Sequence, residues 1–325
     1  MNRDKKIGVV LFQLGGPDSL DAIEPFLYNL FCDPDIINFP GAFLARKPLA
    51  KFISTRRAKR VAQNYIDIGG KSPIGELTND QRNALEIELN KRVPAKVYVA
   101  MRYWHPFTEV AIAEMKKERF DKIVLLPLYP QHSKATTVSS VKEWEKQCKL
   151  LGFNDVPSTS VASYYNHPLY IEAIVDNINR VYPNFSSVDP ANVDLVFSAH
   201  GIPLSLVKAG DPYAGQIEES VRLVVEKGKW KSPHMLCFQS KVGPMEWLKP
   251  SLDETIENLG KWGRKHLLVI PIAFVTEHIE TLHEINIEAR EEAMHLGVEQ
   301  FEMMPALNCN PKFIDCLADL VMKNV

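Results

Sequence analysis

One histidine closing an apolar run, and a series of carboxylates at four-residue spacing, are the groups in this chain best placed to do chemistry. The histidine is His200, in F-S-A-H-G-I-P after the run Val193, Asp194, Leu195, Val196, Phe197. The carboxylates are Glu280, Glu284 and Glu288, which lie with Glu277 and His278 in F-V-T-E-H-I-E-T-L-H-E-I-N-I-E, residues 274–288, after the run 267–275. Gly201 and Pro203 turn the chain just past the histidine. An imidazole there can accept a proton or hold a metal near neutral pH. A four-residue step keeps side chains on one face of an α-helix, where like charges repel by a few tenths of a kcal/mol per pair. The helix dipole favours acids only over the first turn, so it does not account for Glu284 and Glu288. Hard carboxylate oxygens beside an imidazole suit transient binding of a divalent first-row metal. The same pattern also fits a solvated acidic face, and a lone histidine is more often a satisfied structural group than a ligand.

Strands must position these groups, because in open α/β sheets the chemistry lies just past the carboxyl ends of strands. β-branched apolar runs predict strands over 7–14, 96–102, 122–128, 159–164, 194–200, 235–240, 266–275 and 301–307. Segments with 3.6-residue apolar periodicity separate them, among them 106–118, 168–181 and 253–260. Such alternation predicts parallel sheets with helices on both faces. Eight strands fall into two sets of four, breaking near Asn166-His167-Pro168. The expected fold is therefore α/β, with two similar doubly wound domains, each a four-stranded parallel sheet flanked by helices, and an active-site cleft between them. The first domain is expected over 1–165 and the second, carrying His200 and the Glu280 helix, over 166–307. A terminal helix within 308–325 is expected to join the first.

Composition narrows the function classes. The chain has 325 residues, 46% hydrophobic and 24% charged, with a formal net charge of −2. No basic field or tail favours nucleic acid. The longest apolar run is too short for a bilayer span, and no secretory apolar segment follows the N-terminal residues. A cytoplasmic protein is the expectation. Five cysteines (Cys32, Cys148, Cys237, Cys309, Cys316) form no C-x-x-C pair and no zinc spacing, which fits free thiols in a reducing compartment.

One insertion departs from the alternation: a long helical stretch over 18–93. It holds F-L-Y-N-L-F (26–31) and F-P-G-A-F-L-A-R-K-P-L-A-K-F-I (39–53). Bulky apolar residues mixed with Arg46, Lys47 and Lys51 would suit a surface resting on a bilayer interface. An ordinary helix with its apolar side on the core explains them equally.

Eight separate blocks, in order along the chain, resemble the ferrochelatases, enzymes that insert ferrous iron into protoporphyrin IX in the last step of haem synthesis. They are L-G-G-P-D-S (14–19), Y-I-D-I-G-G-K-S-P-I (65–74), M-R-Y-W-H-P (101–106), L-Y-P-Q-H-S (128–133), F-S-A-H-G-I-P, G-D-P-Y (210–213), Q-S-K-V-G-P-M-E-W-L (239–248) and E-H-I-E-T-L-H-E. By this resemblance, His200 matches the family's active-site histidine and Glu280 the carboxylate paired with it, together the catalytic and metal site. Glu284 and Glu288 match a conduit for metal or protons. Trp247 matches an aromatic at the porphyrin edge, and Leu14 a residue against the porphyrin face. Arg57 and Ser72 match groups near the propionates. Tyr65, Arg102 and Tyr103 match further pocket residues. A flat apolar disc with two propionates needs such apolar walls and a cationic or hydroxylic rim.

The resemblance implies protoporphyrin IX and ferrous iron as substrates, with no nucleotide and no redox change. Cluster-bearing members of the family hold a [2Fe–2S] centre partly through a cysteine-rich C-terminal extension and one internal cysteine. Here the internal position is Lys134 and the chain ends at Val325, so no cluster is expected. A monomer is expected, with peripheral membrane contact through 26–53. Leu14 resembles the protoporphyrin branch, where the coproporphyrin branch has a tyrosine. Two rivals are a chelatase for another metal or tetrapyrrole, which would favour more histidines, and a porphyrin carrier, which would need no acidic ladder.

Overall fold

A computed structural model describes residues 5–34, 42–241 and 245–325, without the side chains of 42–44. Residues 35–41 of the candidate membrane stretch 26–53, and Val242, Gly243 and Pro244 of the Q-S-K-V-G-P-M-E-W-L block, lie outside the described residues.

The chain forms two compact units. The first comprises Met1–Tyr129, Ser133–Ser163 and Ile314–Val325. Its strands are β1 (Ile7–Gln13), β2 (Ala95–Met101), β3 (Lys122–Pro127) and β4 (Ser158–Ser160), and its helices are α1 (Ile23–Cys32), α2 (Ala42–Asp67), α3 (Ile74–Asn90), α4 (Thr108–Met115) and α5 (Ser139–Leu151). The order is β2-β1-β3-β4, every pair parallel. All seven residues of β1 are buried, because a central parallel strand is covered on both faces and must be apolar on both. Val10, Phe12, Ile112, Met115, Leu125 and Trp144 pack between this sheet and α4–α5. α5 ends at Gly152, whose positive φ of 62° closes the helix in the left-handed region.

The second unit comprises Pro130–His132 and Tyr164–Phe313. Its sheet repeats the first topology: β5 (Val193–His200), β6 (His234–Gln239), β7 (His266–Pro271) and β8 (Gln300–Met303), in the order β6-β5-β7-β8 and parallel throughout. Around it lie α6 (Pro168–Val181), α7 (Leu204–Lys208), α8 (Tyr213–Gly228), α9 (Leu252–Lys261), α10 (Arg290–His295) and the start of α11 (Pro311–Met322). α9 opens on a reciprocal capping box between Ser251 and Glu254. Val196, Leu259, Leu267, Ile285, Val298 and Phe301 belong to one buried cluster here.

Both sheets are the expected four-stranded parallel sheets flanked by helices. Several local expectations change: β7 and β8 stop at Pro271 and Met303, short of the expected 275 and 307. Strand β4 shrinks to three residues at the sheet edge, two of them exposed, because an edge strand has one partner only. The acidic stretch does not open as an α-helix: Glu280–Ala289 winds as π turns, with i→i+5 bonds, and becomes α only from Arg290. Wide turns of this kind are rare and concentrate at functional sites. Among the described residues, no helix is long and apolar enough to cross a membrane.

Candidate active site

His200 is the last residue of β5, and its side chain is about one-third exposed. Its Nδ1 lies 2.6 Å from the carbonyl oxygen of Gly201. A carbonyl only accepts, so Nδ1 carries the hydrogen and the neutral ring presents its lone pair at Nε2. That lone pair faces Glu280 Oε1 at 3.6 Å. Glu280 stands at the first position of the π turns. Its other oxygen faces a second imidazole, His278 Nε2, at 3.5 Å. His278 Nδ1 is likewise committed, to the carbonyl of Thr276 at 3.0 Å.

Glu280 therefore sits between two ring nitrogens whose partner nitrogens already hold their hydrogens. Two acceptors face one another on each side, which is repulsive unless a proton or a cation lies between them. On the His278 side the carboxylate favours a proton: burial pulls that imidazole down, but Glu280 and lesser contributions outweigh it and the net shift is upward. On the more exposed His200 side the gap is open to a proton or a metal ion. Among the described residues, no group of three or more His, Cys, Asp and Glu side chains is arranged to hold a metal. This donor set suits an ion in transit, completed by ligands that the substrate brings.

Behind Glu280 the acidic series divides. Gln239, at the end of β6, donates from its amide to Glu280 O at 3.0 Å and to Glu284 Oε2 at 3.2 Å, while its own oxygen accepts from Ser198 at 2.8 Å. Ser240, held at a positive φ of 64°, also donates to Glu284 Oε2. Burial pushes the Glu284 carboxyl up to about 7, the charge of Glu280 adds to this, and these hydrogen bonds pull the other way. Glu288 lies beside His283, Oε1 to Nδ1 at 3.4 Å, and its side chain is 55% exposed. Glu277 stands apart from the series in function: its carboxylate accepts from Ala306 N at 2.7 Å and from the Thr281 hydroxyl. It ties the loop after β8 to the start of the π turns.

Trp247 approaches His200, ring centroids 6.4 Å apart and planes inclined by 60°. Gly201 permits this, since a Cβ there would lie 3.3 Å from the indole and 3.2 Å from Gln239 O. Sequence reasoning assigned no role to Gln239, Ser240, Ser198 or Tyr213. The signal available was the place of three of them in the Q-S-K-V-G-P, F-S-A-H-G-I-P and G-D-P-Y blocks, beside Ser240 in the first.

The first unit gathers its own candidates at the carboxyl ends of β1 and β2. Tyr103 N donates to Leu14 O at 3.0 Å. Ser72 is buried against Gly16, where a Cβ would meet the Ser72 hydroxyl at 2.6 Å, and Ser72 N donates to Pro17 O at 2.8 Å. Arg102 and Tyr103 share one buried partner, Asp33. Asp33 Oδ2 accepts from Arg102 Nη2 at 2.7 Å, from the Tyr103 hydroxyl at 2.8 Å and from Ser139 at 2.8 Å. Tyr103 is 1% exposed and Tyr65 4%. Arg57 lies over the Phe31 ring, 5.9 Å from its centroid. A cavity of about 480 Å³ opens beside the Asp33 cluster, lined in part by Cys32, Arg102, Ser139 and Lys142; neither imidazole borders it.

In α1, Phe26, Leu27 and Phe31 are buried in the core. The exposed face of α2 carries Lys47, Lys51, Arg56, Lys59 and Arg60 around Phe52, which is 57% exposed.

Comparison with known proteins agrees with this architecture. A family model described as Ferrochelatase matches residues 6–325. The chain is 48% identical over 319 residues to a ferrochelatase of Picosynechococcus, covering 97% of this chain and 82% of that one. It is 46% identical over 332 residues to "Ferrochelatase-1, chloroplastic/mitochondrial" of Arabidopsis thaliana, covering 99% and 70%. Among solved structures, SirB from Bacillus subtilis with Fe3+ superposes with a TM-score of 0.55 at 13% identity, covering 98% of this chain and 95% of that one. CbiX, described as the terminal enzyme for biosynthesis of sirohaem in denitrifying bacteria, does so with 0.52 at 12% identity, covering 99% and 100%. These two share the fold.

Proposed function

This chain belongs to the ferrochelatase family, and from that premise we propose that it inserts ferrous iron into protoporphyrin IX to give protohaem, with His200 and Glu280 as the insertion pair. The observation that carries the assignment of the pair is the gap between His200 Nε2 and Glu280 Oε1, 3.6 Å wide and bounded by two acceptors. Insertion releases two pyrrole protons for each Fe2+ that enters and transfers no electrons. His200 Nε2 offers the lone pair for one proton or for the incoming ion. Glu280 supplies the opposing negative charge, and His278, whose imidazole that carboxylate shifts upward, stands on its far side.

Glu284, poised near neutrality, can take and release a proton behind Glu280, and Glu288 leads towards solvent. Leu14, Ser72, Arg57, Tyr65 and Trp247 are proposed to line the porphyrin's faces and propionate rim. Arg102 is proposed to act there through its ion pair with Asp33 rather than as a free cation. The reaction calls for no resident cofactor, and Lys134, first residue of a short π turn, offers no thiolate for an iron–sulfur cluster. The cationic face of α2 with Phe52 at its centre supports peripheral contact with an anionic bilayer, and a cytoplasmic monomer is the form proposed.

Purified protein mixed anaerobically with protoporphyrin and ferrous iron, followed by absorption, tests the reading. Turnover is expected in the wild type, with losses of roughly 10² or more in His200→Ala and Glu280→Ala. Turnover that survives both substitutions would refute the site. Stoichiometric binding without turnover would make the protein a carrier.

A further inference from the structure

His200 ends β5, and its main-chain oxygen has no strand left to pair with. In a ladder, residues two apart face the same neighbouring strand. Ser198 O accepts from Ile272 N at 2.9 Å on the β7 side, so the His200 oxygen faces that side too, but β7 ends at Pro271. The donor present there is the hydroxyl of Tyr213, 3.0 Å from His200 O. Tyr213 is 8% exposed and opens α8, and its own N–H donates to Asp211 Oδ1 at 3.1 Å.

The other end of the same peptide is also held. Gly201 N donates to Gln239 O at 2.8 Å. A peptide unit is planar, so fixing its oxygen and its nitrogen fixes its orientation. That orientation aims the next carbonyl, Gly201 O, which takes the hydrogen of His200 Nδ1. We propose that Tyr213 is a positioning residue for His200: by holding the His200 oxygen, and with it the peptide that leads to Gly201 O, it keeps the imidazole in the Nδ1–H form, with Nε2 directed at Glu280. Burial, and then the charge of Glu280, pushes the Tyr213 phenol well above its ordinary range, so it remains a donor throughout neutral pH. The catalytic consequence rests on the reading of His200 as half of the insertion pair.

Tyr213→Phe removes a single oxygen and leaves the ring in place. The test uses the full chain with 15N-labelled histidine, reading the two ring nitrogens of His200 by NMR and porphyrin turnover in parallel. In the wild type, Nδ1 should give the protonated signature and Nε2 the unprotonated one. In the variant the two should move towards a mixture. Turnover should fall roughly tenfold, while the porphyrin KM stays within about twofold, since the base is misaimed and the pocket is intact. A tyrosine with only a structural role would lower the melting temperature and leave the His200 signals and kcat of the folded protein unchanged; that result overturns the proposal.

Should Tyr213→Phe fail to fold, Asp211→Ala only loosens the seat of Tyr213 and is read by the same NMR and turnover measurements. Mixed His200 signals with reduced turnover support the positioning role, and unchanged signals with unchanged kcat overturn it. The NMR signature is independent of activity. If His200 loses its tautomer in the variant while the wild type shows no chelatase turnover, Tyr213 keeps its positioning role and the functional reading fails instead.

Discussion

Replacing Glu280 with glutamine alters the charge at the centre of the site with little change in bulk. His278 is buried, and burial is the largest influence on its imidazole, acting to lower it. The Glu280 carboxylate at 3.5 Å reverses the sign, with help from the Thr276 carbonyl and Glu277. Two unit charges at this separation, in an effective dielectric of about 20, attract by roughly 4–5 kcal/mol. The Glu280 side chain is 19% exposed, and solvent screening weakens this attraction without removing it.

Glu280→Gln should therefore lower the His278 midpoint to below its ordinary value, because burial is then opposed only weakly. Histidine NMR across a pH series reads this directly. Stability should change sign with it. In the wild type the raised imidazole contributes stability that is complete below the unfolded-state value and is lost as pH rises through the folded-state value. In the variant the depressed imidazole contributes above the unfolded-state value and loses that contribution on acidification. Between about pH 8 and about pH 6, the variant's melting temperature should fall relative to the wild type's. A His278 midpoint that holds or rises in Glu280→Gln would refute the electrostatic account of the site.

Other outcomes follow from the same geometry. Glu284→Gln should be more stable than the wild type at about pH 8, by roughly 1–3 kcal/mol, because a carboxyl held at about 7 is ionised at a cost there and the amide oxygen still accepts from Ser240 and Gln239. Denaturant titrations should show this gap closing as pH falls through 7, and a gap independent of pH would overturn it. Asp33→Ala leaves Arg102 and the Tyr103 and Ser139 hydroxyls without their shared acceptor and should cost about 3–5 kcal/mol in denaturant unfolding. Gly16→Ala puts a methyl 2.6 Å from the Ser72 hydroxyl and should cost about 1–3 kcal/mol in stability, with weakened porphyrin binding by fluorescence titration. Neutralising Lys47, Lys51 and Arg56 together should weaken sedimentation with phosphatidylserine vesicles by roughly 10²-fold, at about 1 kcal/mol per charge; unchanged sedimentation would mean that this face does not meet a bilayer.

The sheets were legible because central parallel strands have no polar face. Runs such as I-G-V-V-L-F-Q and H-L-L-V-I-P can satisfy their burial only in the middle of a covered sheet, and helical periodicity between them dictated the crossovers. What escaped was whatever depends on tertiary partners. β4 pairs along three residues only, since among the described residues its other edge meets no strand. The π turns of Glu280–Ala289 leave no mark in the periodicity, because a side chain four residues on stays near the same face whether the ladder closes at i+4 or at i+5. Residue types alone do not reveal that Asp33, some seventy residues away in sequence, bonds to both Arg102 and Tyr103.

The same distinction explains why the candidate site was half visible. Residue types and strand ends were enough to single out His200 and the carboxylates, but not to say which nitrogen of the ring is available. That depends on a main-chain oxygen, Gly201 O, which follows a peptide unit held at its oxygen by Tyr213 and at its nitrogen by Gln239, from two other elements. Neither partner carries a chemical signature of its own: a buried tyrosine and a buried glutamine are ordinary core polar groups. Together they turn a generic histidine into one with a fixed lone pair facing a carboxylate, and Gln239 also ties that carboxylate's backbone to the next acid in the series. Removing the tautomer constraint would let Nε2 carry the hydrogen and donate it to Glu280, closing the gap with a hydrogen bond and leaving neither a base nor a ligand. The polar framework behind His200 thus decides whether the gap stays open to a cation, and loss of the Tyr213 hydroxyl should be felt as chemistry before it is felt as unfolding.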